Sequence, residues 1–146
     1  MNVPEVLAGT ALGLHHVAIA VEKIDEARPL YENALGMKPK GGVENVPSQL
    51  VNVLVLLAGS QRLELVEPTS EESPIWRFVH ERGGGIHHLA WHVQDCQEAI
   101  DRLLNHNIRM IDETPRPGSH GTTIAFVHPK ATGGVLMELV EDPSLS

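Results

Sequence analysis

Four residues of this 146-residue chain have the side chains and the placement to hold a divalent cation: His16, Glu64, His88 and Glu138. The two histidines occupy one position in two copies of a repeated stretch. Leu14-His15-His16-Val17-Ala18-Ile19-Ala20-Val21 lines up with Ile86-His87-His88-Leu89-Ala90-Trp91-His92-Val93, at an offset of 72 residues. Each glutamate lies inside an apolar run, Glu64 in Arg62-Leu63-Glu64-Leu65-Val66 and Glu138 in Leu136-Met137-Glu138-Leu139-Val140. A carboxylate in such surroundings needs a cation or a hydrogen-bonding partner, because a lone buried charge is costly. Two imidazoles and two carboxylates form a mixed nitrogen and oxygen set that suits Mn, Fe, Co, Ni or Zn. One such ion per chain is expected, with two octahedral positions left for water or a chelating substrate. Taken singly, a strand histidine or glutamate is more often structural or solvated than a ligand. The repeat-related placement of all four makes the metal reading the stronger one.

The repeat implies what must position these residues. It continues beyond the histidines, with Glu26 falling on Glu98, Ala27 on Ala99, Tyr31 on Leu103 and Asn33 on Asn105. Two copies are too few for a solenoid array and suggest a duplicated half-module. Each copy opens with a strand in which residues alternate between two faces, His16 with Leu14, Ala18 and Ala20 on one of them. A helix follows. Ile24, Ala27, Tyr31 and Leu35 keep its spacing in the first copy, with Gly36 as the stop and Pro29 about one turn in. In the second copy Asp95 caps and Cys96, Ala99, Ile100, Leu103 and Leu104 form the apolar stripe. The strands that follow are read at Leu50–Leu57 and Leu63–Val66, then at Thr122–Val127 and Val135–Val140. A short helix near Ile75–Glu81 and the run Gly83–Gly85 join the copies. The expected fold is α+β. It is a single domain over residues 1–146, made of two βαβββ modules at 14–67 and 86–141 whose cupped mixed β-sheets surround a metal site.

Composition narrows the function. The net charge is −8 with histidine neutral, and the eleven basic residues are scattered. That argues against nucleic acid and against an anionic membrane, both of which attract clustered Lys and Arg. No apolar run is long enough to span a bilayer, and the first residues do not read as a signal peptide. The single cysteine, Cys96, excludes an internal disulfide framework and is expected to be a buried filler in a reducing, cytoplasmic setting. Among the other histidines, His15 and His87 are expected on the opposite strand face in structural or supporting roles. His80, His92 and His106 are expected at the surface. His120 and His128 lie in or near a polar loop, where a solvated role is the stronger expectation and contact with a ligand the weaker one.

These residues resemble the vicinal oxygen chelate superfamily, which includes the glyoxalases. Longer stretches are similar to the methylmalonyl-CoA epimerase family within it: Arg62-Leu-Glu-Leu-Val-Glu-Pro68, Gly83-Gly-Gly-Ile-His-His-Leu-Ala90, Ile111-Asp-Glu-Thr-Pro-Arg116, and Phe126-Val-His-Pro-Lys130 through Gly134-Val-Leu-Met-Glu-Leu139. The resemblance implies metal ligands at His16, Glu64, His88 and Glu138, a cobalt- or manganese-like ion, an acyl-CoA substrate and a homodimer. It implies an epimerase that interconverts the two forms of methylmalonyl-CoA by removing the α-proton through a metal-stabilised enolate. Glu138 is the candidate base, Gln49 the candidate hydrogen-bonding partner of substrate or enolate, and Lys130 a candidate contact for a CoA phosphate. One departure stands out: Ser48-Gln49-Leu50-Val51, with Val53 beyond, lacks the further acidic residue that some members carry. The second proton carrier is therefore unassigned. Alternatives are a glyoxalase-like metal-dependent lyase or isomerase, an extradiol oxygenase, and a non-catalytic small-molecule binding module. The fourth ligand, Glu64, argues against an oxygenase built on two histidines and one carboxylate.

Overall fold

The computed structural model describes residues 5–145. The chain divides into two compact units. One is His16–His88, and the other is Leu89–Ser146 together with the stretch up to His15.

In the unit His16–His88 the strands are ordered β2 (Lys38–Pro39), β4 (Val51–Ala58), β5 (Gln61–Pro68), β1 (Ala11–Ala20), and β3 (Glu44–Val46) also pairs with β4. β4 and β5 form an antiparallel hairpin in which Val55 faces Glu64, while β1 runs parallel to β5 with Ala18 opposite Glu64. β2 and β3 are two pieces of one edge. Pro39 pairs with Leu56 and Glu44 with Val53, so Gly41 and Gly42 fall in a bulge between them. Leu54, Leu56 and Leu65 are fully buried with Ile24 on one sheet face. Val53, Val55 and Val66 lie on the other, with Val79 of α2 (Trp76–Arg82). Each buried leucine stabilises the fold by roughly 2 kcal/mol. The helix above them needs that support, because α1 covers only Ile24–Pro29 and is too short to persist alone.

The first helix departs from the regular one its spacing predicts. Pro29 has no N–H to donate and its ring crowds the preceding turn. The chain widens into a π turn over Leu30–Ala34, where the Leu35 N–H donates to the Leu30 carbonyl at 3.0 Å. Gly36, at φ +72°, then ends the helix. The link between the repeats also depends on glycine. A Cβ on Gly84 would stand 2.4 Å from the carbonyl oxygen of Ala20, so only glycine lets the chain pass so close to β1.

The second unit orders its strands β6 (Gly85–Val93), β9 (Met137–Glu141), β8 (Thr123–Val127), β7 (Arg116–Pro117). β6 runs parallel to β9 with Ala90 opposite Glu138, and Phe126 of β8 faces Glu138 from the other side. α3 (Cys96–Asn105) lays Cys96, Ala99, Ile100 and Leu103 on Ala125, Val127 and Leu139. Asp95 caps it as expected, accepting from the Glu98 N–H at 3.0 Å. A second cap recurs in both units. Glu67 accepts from the Ile24 N–H at 2.9 Å and Glu141 from the Cys96 N–H at 2.9 Å, a carboxylate at the positive end of each helix.

Cys96 is fully buried, and burial, followed by the charges of Glu141 and Glu138, pushes its thiol up to about 12. Only about one molecule in 10⁴ would carry the thiolate at pH 8. A thiol-specific disulfide reagent is therefore expected to leave the folded protein unlabelled for hours and to label one equivalent at once in guanidinium. Rapid labelling of the folded chain would contradict the burial. No helix is long and apolar enough to cross a membrane among the described residues.

Candidate metal centre

The pairing that places the candidate ligands is the same in both units. Each glutamate pairs with the alanine two residues beyond the repeated histidine: Glu64 with Ala18, Glu138 with Ala90. Because side chains two apart on a strand share a face, the repeat fixes the side of the strand as well as the sequence position. Both glutamates are buried, at 6% and 4% exposure. They sit in strands whose alternate residues fill the cores.

Three candidate ligands belong to the unit His16–His88, and all are buried. The Nε2 atoms of His16 and His88 face each other at 3.4 Å, with the rings edge to face. On its far side, His16 Nδ1 lies 3.1 Å from a carboxylate oxygen of Glu64. The arrangement fits a divalent ion. Two nitrogens each ~2.0–2.1 Å from one centre stand about 2.9–3.4 Å apart for angles between octahedral and tetrahedral. A buried carboxylate beside His16 also supplies negative charge of the kind such an ion needs for compensation.

The other histidines separate by role. His15, 6% exposed, is paired through Nε2 with Asp142 at 2.8 Å and meets the ring of His92 edge to face at 5.7 Å. Asp142 was not singled out by sequence. Its only signal is a carboxylate just past the apolar run of β9. His92 is half-buried rather than at the surface, because His15 packs against it. His87 is half-buried and places its Nδ1 2.9 Å from His88 Nδ1. His80 and His106 are exposed as expected, each with Nδ1 near the carbonyl four residues back. His120 is exposed at φ +53°. His128 accepts from the Lys130 N–H at 3.0 Å in a short turn, and Lys130 is exposed. Gln49 is half-buried and closes the 3-10 turn Pro47–Gln49 ahead of β4. Leu50 adopts a left-handed conformation there, φ +54°, which breaks strand pairing until Val51. Val53 is buried among valines, so its site offers no acidic group.

Comparison with known proteins places these features in a family. Residues 15–126 match the model of the glyoxalase/bleomycin resistance protein/dioxygenase superfamily. The chain is 42% identical over 128 residues to the uncharacterised protein YqjC of Bacillus subtilis, covering 88% of this chain and 91% of that one. It is 40% identical to the mitochondrial methylmalonyl-CoA epimerase of Dictyostelium discoideum, covering 88% of this chain and 77% of the relative. Among solved structures, methylmalonyl-CoA epimerase from Mycobacterium tuberculosis superposes with a TM-score of 0.87 at 37% identity, over 94% of this chain and 93% of that one. A methylmalonyl-CoA epimerase in complex with methylmalonyl-CoA and ammonium superposes with a TM-score of 0.86 at 29% identity, over 94% and 99%.

Proposed function

This chain belongs to the methylmalonyl-CoA epimerase family of the glyoxalase superfamily, and we propose that it inverts the α-carbon of methylmalonyl-CoA at one divalent ion held by His16, Glu64, His88 and Glu138. The observation that carries the ion is the pair of buried imidazole Nε2 atoms 3.4 Å apart beside a buried glutamate. The complex of a family member with methylmalonyl-CoA supports the acyl-CoA. The family resemblance favours cobalt or manganese and a pair of chains. The lone buried thiol accords with a reducing, cytoplasmic setting.

The substrate carries a carboxylate and a thioester on either side of its acidic carbon, so two oxygens can be oriented together. When bound, the ion supplies Lewis-acid stabilisation of the charge that develops as the α-proton leaves. His16, Glu64 and His88 serve as holders. Glu138 removes the proton from one face of the α-carbon, since a carboxylate that ligates through one oxygen keeps the other for the proton. A solvent proton returned to the opposite face completes the inversion, and the proton on Glu138 passes to solvent to restore the base, so there is no net change in composition. Gln49 holds the water that delivers the returned proton, because Val53 offers no acid.

The direct test is the loss of optical activity of (2R)-methylmalonyl-CoA in the presence of the purified, metal-analysed protein. Complete equilibration of the two forms is the expected result. An optically stable substrate with metal-replete protein would overturn the reading. Metal also bears on stability. An ion that binds only the folded chain at about 100 times its dissociation constant adds ~2.7 kcal/mol. Chelation is therefore expected to lower Tm by roughly 5–10 °C, and re-addition to restore it. An unchanged melting curve after verified removal would count against a buried site.

A further inference from the structure

We propose that Arg116 receives the free carboxylate of the acyl-CoA substrate and so selects acyl-CoAs that carry one. The geometry lies within the second unit alone. The substrate class rests on the function proposed above.

Strand register puts Arg116 and Glu138 on one face of the sheet. Arg116 of β7 pairs with Ile124 of β8, and Ile124 pairs with Val140 of β9. In the next row Phe126 pairs with Glu138. Residues directly opposite each other share a face, and so do residues two apart along a strand. Arg116, Ile124, Phe126, Val140 and Glu138 therefore point the same way. Ile124, Phe126 and Val140 form an apolar cluster there with Ala90. The guanidinium lies over the ring of Phe126, 5.7 Å from its centroid, and Phe126 is the residue directly opposite Glu138.

The guanidinium is held in place with its donors open. Asp112 anchors it from one side. One carboxylate oxygen of Asp112 accepts the Phe126 N–H at 2.8 Å, and the other lies 3.3 Å from Arg116 Nε. That contact supplies charge without a hydrogen bond, since Nε is buried and has no hydrogen-bond partner among the described residues. Phe126 gives a flat support on which a guanidinium stacks. The side chain keeps 33% exposure, so its planar fork of donors can still meet a ligand. Two parallel N–H groups match the two oxygens of a carboxylate.

The proposed substrate brings such a group to this face. Its acidic carbon stands between a carboxylate and a thioester, so Glu138 can reach the α-proton only with the substrate carboxylate nearby. Two anions among apolar side chains repel and are poorly solvated. A fixed cation on the same face offsets both costs and orients the acyl group. A CoA phosphate offers similar anionic oxygens, but it lies at the far end of a long arm from the α-carbon.

The experiment is calorimetric titration of the whole, metal-analysed protein with racemic methylmalonyl-CoA and with propionyl-CoA, which differs only in lacking the carboxylate. Wild type should bind methylmalonyl-CoA more tightly. Arg116→Met should weaken methylmalonyl-CoA ~10–100-fold, the worth of hydrogen bonds to a charged group, and leave propionyl-CoA unchanged. Arg116→Lys keeps the charge without the fork and should recover part of the loss, again for methylmalonyl-CoA alone. Equal weakening of both thioesters would put Arg116 at a phosphate or in the fold, and would overturn the proposal. So would wild-type affinities in a folded Arg116→Met, or a wild type that does not bind methylmalonyl-CoA. Circular dichroism checks folding. If the methionine variant unfolds, the lysine variant decides, and wild-type affinity for both thioesters would sink the idea. Binding is read apart from turnover. Arg116-dependent selectivity without inversion would remove the epimerase reading and keep this assignment. Inversion by wild type, with Arg116→Met binding as wild type does, would do the reverse.

Discussion

Replacing either His16 or His88 by alanine is expected to reduce bound divalent ion from one equivalent to background and to abolish inversion of methylmalonyl-CoA. The two imidazoles are the nitrogen donors of the proposed site, and their Nε2 atoms already face each other at 3.4 Å. The one surviving imidazole and the two carboxylates would hold a borderline ion weakly and without the geometry that selects it. Each variant also removes a buried hydrogen-bonding imidazole, so a loss of about 1–3 kcal/mol of stability should accompany the lost metal. Elemental analysis after gel filtration, with a melting curve for each variant, is the measurement. Wild-type metal content in both folded variants would remove the assignment.

Glu138→Gln is the second large effect. It keeps the size of the side chain and removes the negative charge and the basic oxygen. If Glu138 is the base, turnover falls by ~100-fold or more, the usual worth of a positioned general base, while the histidines retain the ion. Solvent deuterium separates the steps. Wild type should place deuterium on the α-carbon of inverted product far faster than the uncatalysed exchange, and the variant should lose exchange and inversion together. Metal content must be read in the same sample, because the glutamine is also a poorer ligand. Full turnover with full metal would leave Glu138 a ligand only. Gln49→Ala probes the other face. Inversion should fall more than exchange, since the proton can still leave but is returned less well to the opposite side. If both stay at the wild-type rate, Gln49 has no part in proton delivery.

The sequence carried the proposed site because its information is local and repeated. A histidine doublet at one position in two copies, and a glutamate in an apolar strand of each, are legible as strings. The shared register that sets Glu64 opposite Ala18 and Glu138 opposite Ala90 follows from two copies of one pattern folding alike. The Asp95 cap and the apolar stripe of α3 were legible for the same reason, since helical period and capping depend on residues a few positions apart. Other features were decided only when distant groups met. Pro29 warned of trouble in the first helix, but whether the chain would kink, stop or widen into a π turn depended on the leucines packed beneath it. The doublets show the limit most clearly. His15 and His87 are equivalent in sequence, yet one binds Asp142, 127 residues away, and the other turns to its own neighbour, His88. Which nitrogen of an imidazole bears the proton is set by whichever acceptor lies within about 3 Å of it, and spacing along the chain does not encode that distance.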